Sequence, residues 1–295
     1  MPLNKLKKNL RDSAGGGGLA PSSRTWGDGI VRVRMWLSLL GPVHVESEGT
    51  PLPVAAPKHR ALLAALAVSA NNVVDADRIA KAMWGSAPPP SQEDTIRTYV
   101  HRLRKSLGPL GKQRIVVQPP GYILRIDPAD LDILKFESLV RQGRAAVDAG
   151  NWPIAAALLT EAESLWRGTP LADIPLRHLY DRYISYLEQT RLTAQELRIE
   201  ADIRASRHGS ATTIPQLQVL AAQHPERERL CLLLMLACFR SGRQTEALAA
   251  YSAARDLSVT EYAVEPGPDL VEMQKRILAQ DASLLAERLD RFACA

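Results

Sequence analysis

The 295-residue chain is 46% hydrophobic but only 5% aromatic, and its 37 Lys and Arg against 32 Asp and Glu give a net charge of +5. That apolar content excludes a wholly disordered or fibrous chain, and the length fits about two domains. The charge is segregated: five basic against two acidic side chains in residues 1–30, thirteen against eight in 31–130, and nineteen against twenty-two in 131–295. The front of the chain therefore suits a polyanion and the back does not.

Residues 1–30 read as a disordered tail, a basic patch followed by GGGG and PSSRTWGDG with nothing to bury. Basic residues stand there without an apolar run behind them, so export is not expected. Order should begin at VRVRMWLSLL, where Val31, Val33, Met35, Leu37 and Leu39 alternate with their neighbours at a strand period. GPVHVE and PLPV continue as short strands of a small antiparallel sheet. PKHRALLAALAVSA opens a helix on Pro57, which Asn71-Asn72 breaks. VVDADRIAKAMWG offers a second helix, capped by Asp75 and closed by Gly85. After the loop GSAPPP, Ser91 and Asp94 resemble a capping box for a third helix that stops at Gly108. RIVVQPPGYILRI then reads as a hairpin around Gln118-Pro119-Pro120-Gly121. Sheet, three helices and a hairpin is the order of a winged helix-turn-helix over residues 31–128.

From Leu131 the period is helical throughout, over residues 131–290. Ala247, Tyr251 and Ala254 share a small–large–small spacing with Ala155, Leu159 and Ala162, and more weakly with Pro215, Val219 and Ala222. Gly209 and Gly242 lie 33 residues apart, near the 34-residue period of tetratricopeptide repeats. The small residues let neighbouring helices nest, which predicts stacked helical hairpins. The expected fold is thus an α+β winged helix-turn-helix followed by an all-α, tetratricopeptide-like domain.

The third helix carries the chemistry. In TIRTYVHRLRKSLG, Ile96, Val100, Leu103 and Leu107 form one apolar stripe. At about 100° per residue, Thr98, His101, Arg102 and Lys105 lie opposite that stripe, with Arg97 and Arg104 flanking. A basic surface helix is commonly just solvated, but solvated faces mix signs. This one holds no acid between Arg97 and Leu107, and a hairpin follows it. Arginine there can make bidentate contacts to guanine, and Arg or Lys can meet phosphate.

Successive blocks resemble the Streptomyces antibiotic regulatory protein family: LLGPVHV, APKHRALLAAL, DRIAKAMWG, TIRTYVHRLRKSL, PPGYILRI, RSGRQTEALAAY and EPGPDL. They span Met35 to about Leu284. The resemblance implies an OmpR-type winged helix joined to a bacterial transcriptional activator domain. It also implies a pathway-specific activator of a secondary-metabolite, antibiotic-type gene cluster. Such an activator binds direct repeats near the −35 region, a second copy in tandem, and recruits RNA polymerase holoenzyme. Carried onto this chain, the recognition helix is Glu93 to Leu107, with Arg97, Thr98, His101, Arg102, Arg104 and Lys105 as candidates for DNA contact. Lys58 would reach a phosphate from the first helix, or be a solvated turn. Arg114, Gly121 and Tyr122 lie on the wing, where Gly121 sets the turn and Tyr122 joins the core. GSAPPPSQED is a polymerase-contacting loop or a plain connection. Residues 1–34 lie outside the resemblance.

Other classes fit less well. The six histidines are scattered, no Cys joins them at ligand spacing, and there is no G-x-S-x-G elbow, so no catalytic site, metal or cofactor is expected. Gly111-Lys112 lacks the phosphate-loop pattern, so no ATP site is expected. Cys231 and Cys238 read as small hydrophobes of one helix face, and a reducing cytoplasm fits. The longest apolar runs fall far short of the ~20 residues a bilayer span needs, so no membrane partner is expected. A helical-repeat interaction scaffold with only non-specific DNA affinity is the alternative.

Overall fold

The computed structural model describes residues 34–205 and 213–286. The expectations for residues 1–30, the start of the first strand and Gly209 lie outside them. The chain opens with an antiparallel sheet of β1 (Met35–Ser38), β2 (His44–Ser47) and β3 (Thr50–Pro51), in that order. Three helices follow: α1 (Pro57–Ala67), α2 (Ala76–Trp84) and α3 (Gln92–Ser106). Pro57 starts α1, where its fixed φ and missing N–H cost nothing. Asp75 caps α2 by accepting from the Arg78 N–H at 2.7 Å, and Gly85 ends it at φ 70°. The expected capping box at Ser91 does not form. The Ser91 side chain makes no cap bond, and its carbonyl instead accepts from the Thr95 amide and hydroxyl.

Two elements depart from the sequence reading. A short helix α4 (Pro109–Arg114) stands between α3 and the hairpin of β5 (Ile115–Gln118) and β6 (Gly121–Leu124). β4 (Val74–Asp75), read as the start of the second helix, pairs with β6, giving the sheet order β4-β6-β5. Asn71, at φ 62°, stops the preceding helix and locks onto the end of β6. Its amide donates to the Leu124 carbonyl, and its side chain exchanges two hydrogen bonds with Ile126, at 2.8 and 3.0 Å.

Beyond a 3₁₀ turn at Pro128–Asp130 the elements among the described residues are all helical. α5 (Asp132–Asp148), α6 (Trp152–Ser164) and α7 (Asp181–Ala205) pack as consecutive neighbours. α8 (Thr213–Gln223), α9 (Glu228–Arg240), α10 (Gln244–Tyr262), α11 (Pro268–Leu278) and α12 (Ser283–Ala286) follow. Two of the three small–large–small stripes are core: Ala155, Leu159 and Ala162 are buried, as are Ala247 and Tyr251. The third is not. Pro215, Val219 and Ala222 are exposed, and α8 buries Ile214, Leu217 and Leu220 instead. Helices nest closely at Gly143 on α5, where an added Cβ would lie 2.6 Å from Leu159 Cγ.

The core does not divide where the sequence pattern does. One cluster runs from Met35 through the winged-helix residues into Phe136, Leu159, Leu187 and Leu197, while a second spans Leu192 to Leu284. The turn after β1 is stitched into the helical region. Asp132, buried at the start of α5, accepts from the Leu39 and Leu40 amides at 2.7 and 2.8 Å. Asp173 accepts from the Val43 amide at 2.9 Å and pairs with Arg60 of α1 at 2.9 Å. Arg167 donates its amide to the Leu40 carbonyl at 2.7 Å.

Burial pushes the Asp132 carboxyl up from its ordinary 3.8 to about 6, against the three backbone N–H donors that favour its ionised form. A raised carboxyl means that the folded protein holds a proton the unfolded chain has released, so stability falls as pH rises from about 4 to about 6. Asp132→Asn should flatten that slope in urea unfolding. Asp132→Ala should cost about 1–3 kcal/mol, because two buried amides lose their acceptor.

Candidate nucleic-acid interface

The α3 helix is divided by burial as its sequence divides. Ile96, Val100 and Leu103 are buried, as is Leu107 just beyond, and they face α1 and α2. Arg97, Thr98, His101, Arg102 and Lys105 are all exposed. Thr98 donates its hydroxyl to the Asp94 carbonyl at 3.0 Å. Arg97 pairs with Asp94 at 3.2 Å, but both side chains are more than two-thirds exposed, so the pair is weak and readily exchanged. His101, Arg102 and Lys105 make no hydrogen bond or ion pair with the described residues. Three donors therefore stand on one helix face without an acceptor among the described residues.

Beneath that face lies an aromatic layer that sequence reasoning missed. The Tyr99 ring meets His59 edge-on at 5.6 Å and lies 6.3 Å from the Trp84 ring. Burial, and then the positive charge of Arg102, hold the His59 imidazole below its ordinary pKa. His59 thus stays neutral near physiological pH and leaves the outward charge to Arg102. The sequence signal was only that Tyr99 borders the apolar stripe.

Several expected contact residues are engaged inside the protein. Lys58 donates its ammonium to the Met83 carbonyl, and Nζ sits 5.6 Å from the centre of the Trp84 ring. This charge faces the C-terminal end of α2, where a cation is favoured. Arg104 donates both Nε and Nη2 to the Ile115 carbonyl, at 3.0 and 2.7 Å. Its guanidinium ties α3 to the wing rather than pointing outward with Arg102. Arg114, partly buried at the end of α4, accepts from the Arg125 amide at 2.7 Å through its carbonyl.

Gly121 and Tyr122 serve the wing's construction. Tyr122 is buried and pairs with Val74 and Val117 across the sheet. A Cβ on Gly121 would lie 1.9 Å from the Val74 carbonyl oxygen, so only glycine lets β4 and β6 approach. Val117, Gln118, Pro119 and Pro120 form an exposed wing tip, and the Pro119–Pro120 peptide is cis. Lys112 on α4 and Arg125 after β6 add exposed cations that the sequence reading left out.

An outward basic helix buried on its other side against two helices, with a hairpin beside it, defines a winged-helix DNA-binding regulator. Known proteins agree. Residues 52–124 match the model described as "Transcriptional regulatory protein, C terminal", and residues 131–278 match "Bacterial transcriptional activator domain". The chain is 34% identical to the regulatory protein DnrI of Streptomyces peucetius over 85% of this chain and 94% of that one. It is 37% identical to the regulatory protein AfsR of Streptomyces griseus over 90% of its own length, but spans only 26% of AfsR. The solved structure of Mycobacterium tuberculosis EmbR, in complex with a low-affinity phosphopeptide, superposes with a TM-score of 0.78. That match has 32% identity and covers 84% of this chain and 66% of that one. The protein belongs to the Streptomyces antibiotic regulatory protein family of DNA-binding transcriptional activators.

Gly121→Ala should lower stability by ~1–3 kcal/mol in urea unfolding, because the new methyl must displace a backbone carbonyl rather than a flexible side chain. An unchanged midpoint would show that β4 and β6 can separate freely.

Proposed function

We propose that this protein is a pathway-specific activator of a secondary-metabolite gene cluster, which binds direct repeats beside a promoter and recruits RNA polymerase holoenzyme. The observation that carries the DNA reading is the outward face of α3. His101, Arg102 and Lys105 stand exposed with no hydrogen-bond or ion-pair partner among the described residues, while Arg104 of the same helix is bonded inward. In this reading Arg102 is the base reader, and Lys105 and Arg97 meet phosphates. Thr98 and His101 add hydrogen bonds at the groove floor.

The division of labour follows the sequence pattern: residues 31–128 hold the duplex and residues 131–290 support activation. The shared core makes them one lever. Two copies on a direct repeat would meet head to tail, a heterologous contact rather than a two-fold one. The connection from Gly85 to Ser91 is largely exposed and contains three consecutive prolines, which suits a rigid surface loop offered to polymerase.

Selection of a random duplex pool by the purified full-length protein, at near-physiological salt, tests the reading. A spaced direct repeat is the expected enrichment. Salt-sensitive binding without enrichment would reduce α3 to non-specific phosphate attraction. On the selected site, Arg102→Ala should cost ~1–3 kcal/mol and relax one base preference. Lys105→Ala should weaken all duplexes alike and lower the salt slope by about 1.

A further inference from the structure

The Arg104 guanidinium flanks the outward face of α3 but is bonded inward, at a particular place. Ile115 is the first residue of the wing, paired with Leu124 at the base of the hairpin. Both Arg104 donors, from Nε and Nη2, converge on the Ile115 carbonyl. One residue earlier, the Arg114 carbonyl takes the Arg125 amide at 2.7 Å, which closes the hairpin. The wing's root is therefore held from the same helical turn that presents Arg102 and Lys105.

A second contact fixes the same joint. The connection from α3 to the wing is the six-residue helix α4, entered through Gly108 at φ 59°. A Cβ on Gly111 of α4 would lie 2.2 Å from the Arg104 carbonyl oxygen and 2.5 Å from its Cα. The backbones of α3 and α4 thus touch at Arg104, and no side chain separates them. Backbone contact on one side of Arg104 and the forked guanidinium on the other leave the hairpin little freedom to pivot.

From this geometry we infer that Arg104 and Gly111 are positioning residues. They set the distance between the reading face of α3 and the wing, so that both meet one duplex in a fixed register. The inference rests on the DNA reading above, and it gives Arg104 a role through the wing rather than at a phosphate. Arg104 meets the Ile115 carbonyl with a planar fork of two donors, a fixed geometry that lysine's rotatable ammonium on its flexible stem does not hold.

The test compares the full-length wild type with Arg104→Lys, Arg104→Gln and Gly111→Ala on the selected duplex. Affinity is measured across salt, DNA is mapped by hydroxyl-radical protection, and amide exchange of residues 115–118 is followed in the DNA-free protein. All three variants should exchange faster in the wing and lose protection on the wing side. Protection at the α3 contacts should survive, and affinity should fall about tenfold. Gly111→Ala removes no charge, so its loss of wing protection cannot be a lost phosphate contact.

If Arg104→Lys binds as wild type while Arg104→Gln merely lowers the salt slope by about 1, Arg104 is a phosphate contact and the inference is overturned. Wild-type protection by all three variants overturns it equally. A wild-type protein that protects no duplex overturns the DNA reading itself, and the positioning role with it. Cooperative thermal melting of each variant separates a loosened wing from an unfolded head.

Discussion

Ile96, Val100, Leu103 and Leu107 are each at most 2% exposed, and that burial governs how the protein can meet DNA. Once these four side chains enter the core beneath α1 and α2, helical geometry has no freedom left. His101, Arg102 and Lys105 must point to solvent, because each is displaced by roughly half a turn from the buried stripe. The reading face is thus held by apolar packing on the opposite side of the helix. Each wholly buried Leu or Ile contributes roughly 1.5–3 kcal/mol, whereas the exposed Arg97–Asp94 pair contributes little. The cations remain available because nothing in the fold depends on them.

Arg104 and Lys58 are the informative exceptions. By charge they belong with the DNA-facing group, yet one bonds the wing's root and the other the end of α2. Helical phase explains the difference. Arg104 follows directly on the buried Leu103 and lies at the edge of the stripe, where its long stem can reach the Ile115 carbonyl. Lys58 lies in the first turn of α1, within reach of the free carbonyls that end α2. A cation at such a boundary finds a backbone acceptor before it finds solvent.

The helical region is more than an appendage to the winged helix. Asp132, Asp173 and Arg167 each bond the segment from Leu39 to Val43, and one apolar cluster crosses residues 128–131 without interruption. Asp173 also reaches Arg60 on α1. A displacement of the helices after Leu131 would therefore be felt in the helix-turn-helix through hydrogen bonds and packing together.

The sequence by itself determined the helices, the hairpin, the split of α3 into buried and basic faces, and the family. All of these rest on local periodicity or on ordered blocks of residues. It missed α4, whose six residues are too few to show a period, and β4, whose two residues become a strand only because β6 lies beside them. It misread the α8 stripe at Pro215, Val219 and Ala222, since small–large–small spacing says that a helix can nest but not which neighbour is present. Only the tertiary structure decided which cations face outward, without a partner among the described residues, and which are bonded inward. The acceptors of Lys58 and Arg104 are backbone carbonyls 25 and 11 residues away, and any residue type could supply them.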